Sequence, residues 1–335
     1  MEFWLTASNV LMLIAFAVPG YLLIKLKAAE ERSIAAFAKV LVYVNSPALV
    51  IYSFQKAPYS LELLREAGIV LGLSLLFQIL MLALTYLVLV RFKKKKEAAT
   101  LPSFDTDGAL ALFEQTSSFK GSDAAKNRVL AAASAFANAG FLGVPLVEAL
   151  MPGQPKAVLF SAVYLIAMNL LCWTLGLFLI TGDKKFMSFK KALINQPTLT
   201  LVVALPLFFL GVKLPGVLNT GVELLSKMTA PMCMLILGMR FATIKPRALF
   251  LDKDLYISAA LKLIVHPMLC FLIMYFMPID PVIKASVFIF SAMPSANIVL
   301  GLAEIHGAGE RAAANAILLS TLLSALTVPL LLLLL

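Results

Sequence analysis

Charge is scarce in this chain. Of its 335 residues only 14% are Asp, Glu, Lys or Arg, whereas 61% are hydrophobic and the mean hydropathy is +0.95. A water-soluble domain carries roughly a quarter charged residues, so a soluble globular body is excluded. Histidine occurs twice, and neither an HExxH nor a GxSxG pattern is present. The serines near the centres of apolar runs have no His/Asp partnership legible in the sequence. These absences argue against metal-dependent or serine-based hydrolysis within a membrane. Cysteine is rare too. Cys172, Cys233 and Cys270 all fall inside apolar runs, are odd in number and have no metal-ligand spacing, so they read as core thiols. The start, MEFWLTASNV, places an acid and no base ahead of its apolar run. It lacks the positive start of a secretory signal, and residues 4–25 therefore read as a span.

What is present is a series of long apolar runs. About 20 apolar residues cross a bilayer core as a helix, whereas barrel strands alternate apolar and polar residues. The runs are 4–25, 36–54, 67–90, 129–150, 157–180, 197–212, 219–240, 255–277, 282–303 and 312–335, which makes ten. The net charge of +10 resides in short basic clusters between them. Loops after odd-numbered spans carry most of it: Lys25, Lys27 and Arg32, then Arg91 and Lys93–Lys96, then Lys184, Lys185, Lys190 and Lys191. Loops after even-numbered spans hold isolated residues such as Lys56, Lys156 and Lys213. Positive loops stay in the cytoplasm, so odd loops face inward and both termini lie outside. The longest loop, 91–128, begins RFKKKK, and no aromatic residue is interleaved with the four lysines of that run. That excludes a stacking platform for nucleic acid and leaves a topology anchor or a contact for anionic headgroups.

Five spans plus five, with an odd number in each half, is the arithmetic of an inverted repeat. Span two reads NSPALVIYSF around Pro47, and span seven reads MTAPMCMLILGM around Pro231. Span four reads SAFANAGFLGVPL from Ser134, and span nine reads SAMPSANIVLGL from Ser291. Pro47 and Ser134 are 87 residues apart, Pro231 and Ser291 only 60. Of that 27-residue difference, 24 falls in one loop, 38 residues at 91–128 against 14 at 240–253. Spans four and nine have the composition of broken helices. Asn138, Gly140 and Gly143 lie in one, and Pro294, Ser295 and Asn297 in the other. These are poor helix formers, and proline removes a backbone hydrogen bond. Interrupted spans at matching places in two halves point to a transporter site. The helix that follows each break turns amide groups toward the gap, where an anion is favoured.

Ionisable groups within spans are few and are functional candidates by default. Lys262 and His266 lie one turn apart on span eight and share a face, with Pro267 positioned to kink the helix. The alternative for Lys262 is to snorkel toward the cytoplasmic interface. Glu148 and Glu304 lie near the ends of spans four and nine, as interfacial groups or, for Glu148, a coupling candidate. No acid occupies the centre of either broken span, which ranks a sodium site below a proton-coupled or uncoupled mechanism.

At NSPAL (45–49), FANAGFLGVPLVEAL (136–150) and MPSANIVLGLAEIHG (293–307) the chain resembles the auxin efflux carrier family, which includes plant auxin carriers and bacterial organic-acid permeases. Asn138, Gly143 and Pro145 fall on the family pattern of span four. The resemblance implies an all-α membrane protein of ten helices in two inverted five-helix repeats, with broken helices four and nine crossing at the substrate site. The repeats are 1–180 and 197–335, joined by a linker, 181–196, as short as in the bacterial members. The plant carriers have a proline before the span-four asparagine where this chain has Ala137, whereas span nine keeps Pro294.

The expected protein is therefore a secondary transporter of the cytoplasmic membrane and not an enzyme, a channel or receptor being the alternative. It works by alternating access on a small organic anion, with dicarboxylates among the candidates. The substrate residues expected are Asn45, Pro47, Asn138, Gly140, Pro294, Ser295 and Asn297, and the coupling candidates are Lys262, His266 and Glu148. Expected partners are the anion, a proton as candidate coupling ion, the lipid bilayer and a second copy of the chain as candidate homodimer, with no nucleic acid and no cofactor. The topology makes a direct prediction. A cysteine introduced at Ser117, in a background without the three native cysteines, resists an impermeant thiol reagent in whole cells; labelling from outside inverts the assignment.

Overall fold

A computed structural model describes residues 8, 12, 15–56, 60–92, 123–151, 154–187, 196–243, 249 and 251–335. Its helices are α1 (Ala17–Lys25), α2 (Ser33–Lys56), α3 (Leu61–Arg91), α4 (123–135), α5 (Val144–Leu150) and α6 (Lys156–Thr181). The second half holds α7 (Gln196–Phe209), α8 (Gly216–Thr243), α9 (Lys253–Tyr275), α10 (Pro281–Ala292), α11 (Asn297–His306) and α12 (Glu310–Leu332). Among the described residues there is no strand, only one antiparallel bridge between Ala137 and Ser295. Most of the expected cytoplasmic loop 91–128, from 93 to 122, lies outside the described residues.

Six helices, α2, α3, α6, α8, α9 and α12, are long and apolar enough to cross a membrane. The other expected spans are shorter for identifiable reasons. The first is described continuously only from residue 15, and the sixth, α7, has 14 residues. The fourth and ninth are each divided in two, α4 with α5 and α10 with α11. At ~1.5 Å per residue, the 12 residues of α10 and the 10 of α11 each reach only about half of a bilayer core of ~30 Å. Laid end to end, they cover it.

Proline does not break the other spans. Three π turns, Leu41–Asn45, Ala139–Gly143 and Leu261–Val265, each end two residues before a proline, at Pro47, Pro145 and Pro267. A proline ring presses on the carbonyl one turn back and offers no N–H to it. A π turn widens the helix and re-registers its bonds at that point. Helices α2 and α9 therefore run on through Pro47 and Pro267.

Packing sorts the helices into two sets. In the first, α1 lies along α8, and α2 packs on α7 and α8. In the second, α3 packs on α6, α6 on α10, α9 on α10 and α12, and α11 on α12. The sets meet where α2 and α7 touch α6, and where α8 touches Ala139–Gly143 and α12. Ion pairs bracket the second set. Lys126 of α4 binds Asp252 (2.7 Å) and Asp254 (3.1 Å) at the start of α9. Lys156 of α6 binds Glu66 of α3 (2.9 Å) and Asp280, the N-cap of α10 (3.0 Å). Burial pushes the Asp280 carboxyl up, but the Lys156 ammonium and the Val282 amide outweigh it and hold the group below the usual carboxylate range. Between the sets, Arg240 of α8 pairs with Glu304 of α11 at 2.9 Å, the partly exposed position expected for Glu304.

The α1–α8 contact depends on two glycines. A β-carbon at Gly20 would collide with the backbone carbonyl of Leu235, and one at Gly238 with that of Ala17. Without a solvophobic drive between helices in lipid, such backbone approach is a main source of association. Gly238→Val should therefore lower the melting temperature of the purified protein, with a loss of about 1–3 kcal/mol from overpacking. Gly221 of α8 has open space at its β-position, so Gly221→Ala should hold or raise stability. Equal melting curves for Gly238→Val and wild type would refute the close approach.

Candidate functional site

The two breaks face each other. Helix α10 ends at Ala292, and Met293 turns extended (φ −64°, ψ 150°). The chain stays extended to Ala296 (φ −74°, ψ 135°), where α11 begins. In the other half, α4 stops at 135, and Asn138 (φ −75°, ψ 54°) leads into the π turn that precedes α5. The Asn138 amide donates to the Pro294 carbonyl at 2.7 Å, and the Ala296 amide donates to the Phe136 carbonyl at 3.0 Å. The Ser295 amide donates to Ser320 Oγ of α12 at 3.1 Å. Backbone groups released by each interruption are thus taken up by the other interruption and by α12. Both breaks fall where the composition of spans four and nine placed them. The missing proline at Ala137 does not prevent the first, because Phe136 and Asn138 find partners outside the helix.

The carbonyl ends of the helices that enter the breaks are held differently. On α4, Ser258 of α9 donates to the Leu130 carbonyl (3.2 Å), and Thr85 of α3 donates to the Ala131 carbonyl (3.0 Å). Ser134 of α4 lies 2.8 Å from Ser258. On α10 the donor is a lysine. Lys262 Nζ, fully buried, donates to the Ser291 carbonyl at 2.7 Å and lies 3.0 Å from His266 Nδ1. An ammonium is favourable at the negative end of a helix dipole. Lys262 does not snorkel toward the interface, since its side chain is buried and its Nζ is turned inward to the end of α10. The sequence placed Lys262 and His266 on one face, and they share it. His266 Nε2 is buried without a hydrogen-bond partner among the described residues.

Two asparagines and a cysteine come together beside the breaks, with a third asparagine further along α8. Asn297, the first residue of α11, directs Nδ2 to Cys233 Sγ of α8 at 3.1 Å. The Asn138 side chain reaches the same sulfur. One turn earlier on α8, Thr229 Oγ1 donates to the Asn45 carbonyl of α2 at 3.4 Å, and Asn45 Nδ2 donates to the Leu225 carbonyl at 3.1 Å. Asn45, Asn138, Thr229, Cys233 and Ser295 are all buried. Asn45 Oδ1 and Ser295 Oγ are buried without a partner among the described residues. Neither helix that leaves a break receives a side-chain cap, whereas Ser60, Asp252 and Asp280 cap α3, α9 and α10.

Of the expected substrate residues, Asn138, Ser295 and Asn297 thus lie at or beside the paired breaks, Pro294 supplies a backbone carbonyl, and Asn45 meets α8 one to two turns away, at Thr229 and Leu225. Gly140 belongs to the π turn and lies against α6, where a β-carbon would meet Leu165 at 3.1 Å. Pro47 follows Asn45 in α2 and contributes the local geometry described above. The Glu148 side chain lies outside the described residues. Cys233 is a buried core thiol as the sequence suggested, but sequence reasoning did not single out its contact with Asn297 or the place of Thr229. The available signal was their position within the TAPMC motif around Pro231.

A bundle of apolar helices, several long enough to cross a bilayer and two interrupted around a buried polar centre, defines a multi-pass membrane protein of the transporter class. More particularly, the chain belongs to the membrane transport protein family, whose model matches residues 108–332 and which contains the auxin efflux carriers. No curated protein matches the chain.

The Ser295 amide depends on Ser320, which is fully buried. Ser320→Ala leaves that amide without its acceptor and should cost about 1–3 kcal/mol, read as a lowered melting temperature. Ser324→Ala removes only a bond to the Thr321 carbonyl of the same helix and should cost less. Equal losses in the two variants would show that α12 does not support the break.

Proposed function

We propose that the protein is a secondary transporter that moves a small organic anion, a carboxylate, across the cytoplasmic membrane by alternating access. The observation that carries this reading is the antiparallel pairing of the two helix breaks, with Asn138 and Asn297 converging beside it on one point of α8. Amide donors and uncapped helix starts are suited to carboxylate oxygens. The buried Lys262 ammonium, three residues before Pro294 through its bond to Ser291, adds positive potential to the same region. The chain's excess of basic over acidic residues favours the same sign of substrate.

In this reading the chain has ten spans in two inverted five-helix repeats, with α4–α5 and α10–α11 as the broken fourth and ninth. The two packing sets supply the parts for alternating access. The set containing both breaks carries the substrate, and α1, α2, α7 and α8 form the wall against which it moves. Lys262 and His266 remain the candidates for proton coupling, and an uncoupled carrier is the alternative.

The test is counterflow of labelled carboxylates, screened as mono- and dicarboxylates, in proteoliposomes of the purified chain. A carrier accumulates label transiently against unlabelled internal substrate, and a channel does not. In the same assay Asn138→Ala should weaken apparent affinity by roughly tenfold or more, the worth of a hydrogen bond to a charged group, with folding intact. Wild-type kinetics in that variant would sink the proposed site.

A further inference from the structure

A thiol is a poor hydrogen-bond acceptor. Yet Cys233 Sγ holds the Asn297 amide at 3.1 Å and is reached by the Asn138 side chain as well. These two residues come from different halves of the chain, each at the helical start that follows a break. Stronger acceptors are present in the same region. Asn45 Oδ1 and Ser295 Oγ are buried without partners, the one touching α8 through Thr229 one turn from Cys233, the other two residues before Asn297. The Asn297 amide is thus held by a sulfur while these buried oxygens stay without partners.

We propose that Cys233 is a specificity-determining residue that acts as a surrogate acceptor. Its sulfur keeps the Asn138 and Asn297 side chains oriented in the empty site, and a carboxylate oxygen of the substrate displaces it. This rests on the carboxylate reading of the site and adds the residue that sets its affinity. The physical argument is one of exchange. An amide donor left unpaired in a buried site is costly, so an empty site without any acceptor would be destabilised and would take an incoming oxygen more tightly. An oxygen acceptor as good as the substrate would compete with it. Sulfur lies between, strong enough to orient the amides and weak enough to yield to a charged oxygen, whose hydrogen bonds are roughly twice as strong as neutral ones. The bonds exchanged are hydrogen bonds only, and the thiol keeps its proton throughout.

The experiment compares the full-length wild type with Cys233→Ala and Cys233→Ser, purified, by equilibrium titration with succinate and with acetate. Removing the competing acceptor should tighten binding in the alanine variant by roughly two- to tenfold, the worth of a net hydrogen bond. The serine variant, with a stronger oxygen acceptor, should bind no tighter than wild type. A residue that merely fills space predicts weaker binding in the alanine variant instead. A second readout uses a Cys172→Ala, Cys270→Ala background in which Cys233 is the remaining thiol. Its S–H stretching band should shift when the bound carboxylate takes the amides away. If wild type binds neither acid, the carboxylate reading falls and this inference with it. If wild type binds but the alanine variant is equal or weaker, or the S–H band stays in place, the inference alone is overturned.

Discussion

Hydrocarbon offers no partner to a bare peptide group, and every interruption of a membrane helix must find its hydrogen bonds elsewhere in the protein. This constraint organises the centre of the molecule. The first break needs a partner for the Asn138 amide and the Phe136 carbonyl, the second for the Ala296 amide and the Pro294 carbonyl. They serve one another through two bonds, of 2.7 and 3.0 Å. Each break would be expensive alone, and together they form a short stretch of extended backbone in the interior of a helical protein. Neither half can keep its interruption without the other, so the placement of α4–α5 against α10–α11 follows from backbone chemistry before any side chain is considered.

The support around this pairing is unequal in the two halves. Hydroxyls of Thr85 and Ser258 hold the end of α4, whereas the Lys262 ammonium holds the end of α10. Neutral donors satisfy carbonyls and leave the field unchanged. The Lys262 amine, which can take up a proton where a hydroxyl cannot, lies instead at the negative end of α10. The helices that enter the two breaks are therefore held by chemically different groups. That difference resides in a single residue of α9.

Outside the centre, other irregularities are absorbed without breaks. Pro47 and Pro267 follow π turns that spare the preceding carbonyl a clash, and the helices continue. Gly20 and Gly238 draw α1 onto α8 at a distance that no side chain would allow. Irregularity in this protein thus takes three physical forms: a re-registered helix, a close helix contact and a true interruption.

The sequence by itself determined what depends on local composition. Apolar runs marked the spans because burial in lipid is read residue by residue. The clusters around Asn138 and around Pro294 marked the breaks because poor helix formers act within one turn. The motifs around them also placed the chain in its family. Tertiary structure alone decided what depends on neighbours distant along the chain. Cys233 read as an ordinary core thiol until the fold brought Asn138 and Asn297 to its sulfur, 95 and 64 positions away. Lys262 had two readings, outward to the interface or inward, and a partner 29 residues away on α10 chose between them. Pro47 and Pro294 look alike in a linear pattern. One lies in a continuous helix and the other at a gap because only Pro294 has a second broken segment opposite it to take its backbone hydrogen bonds.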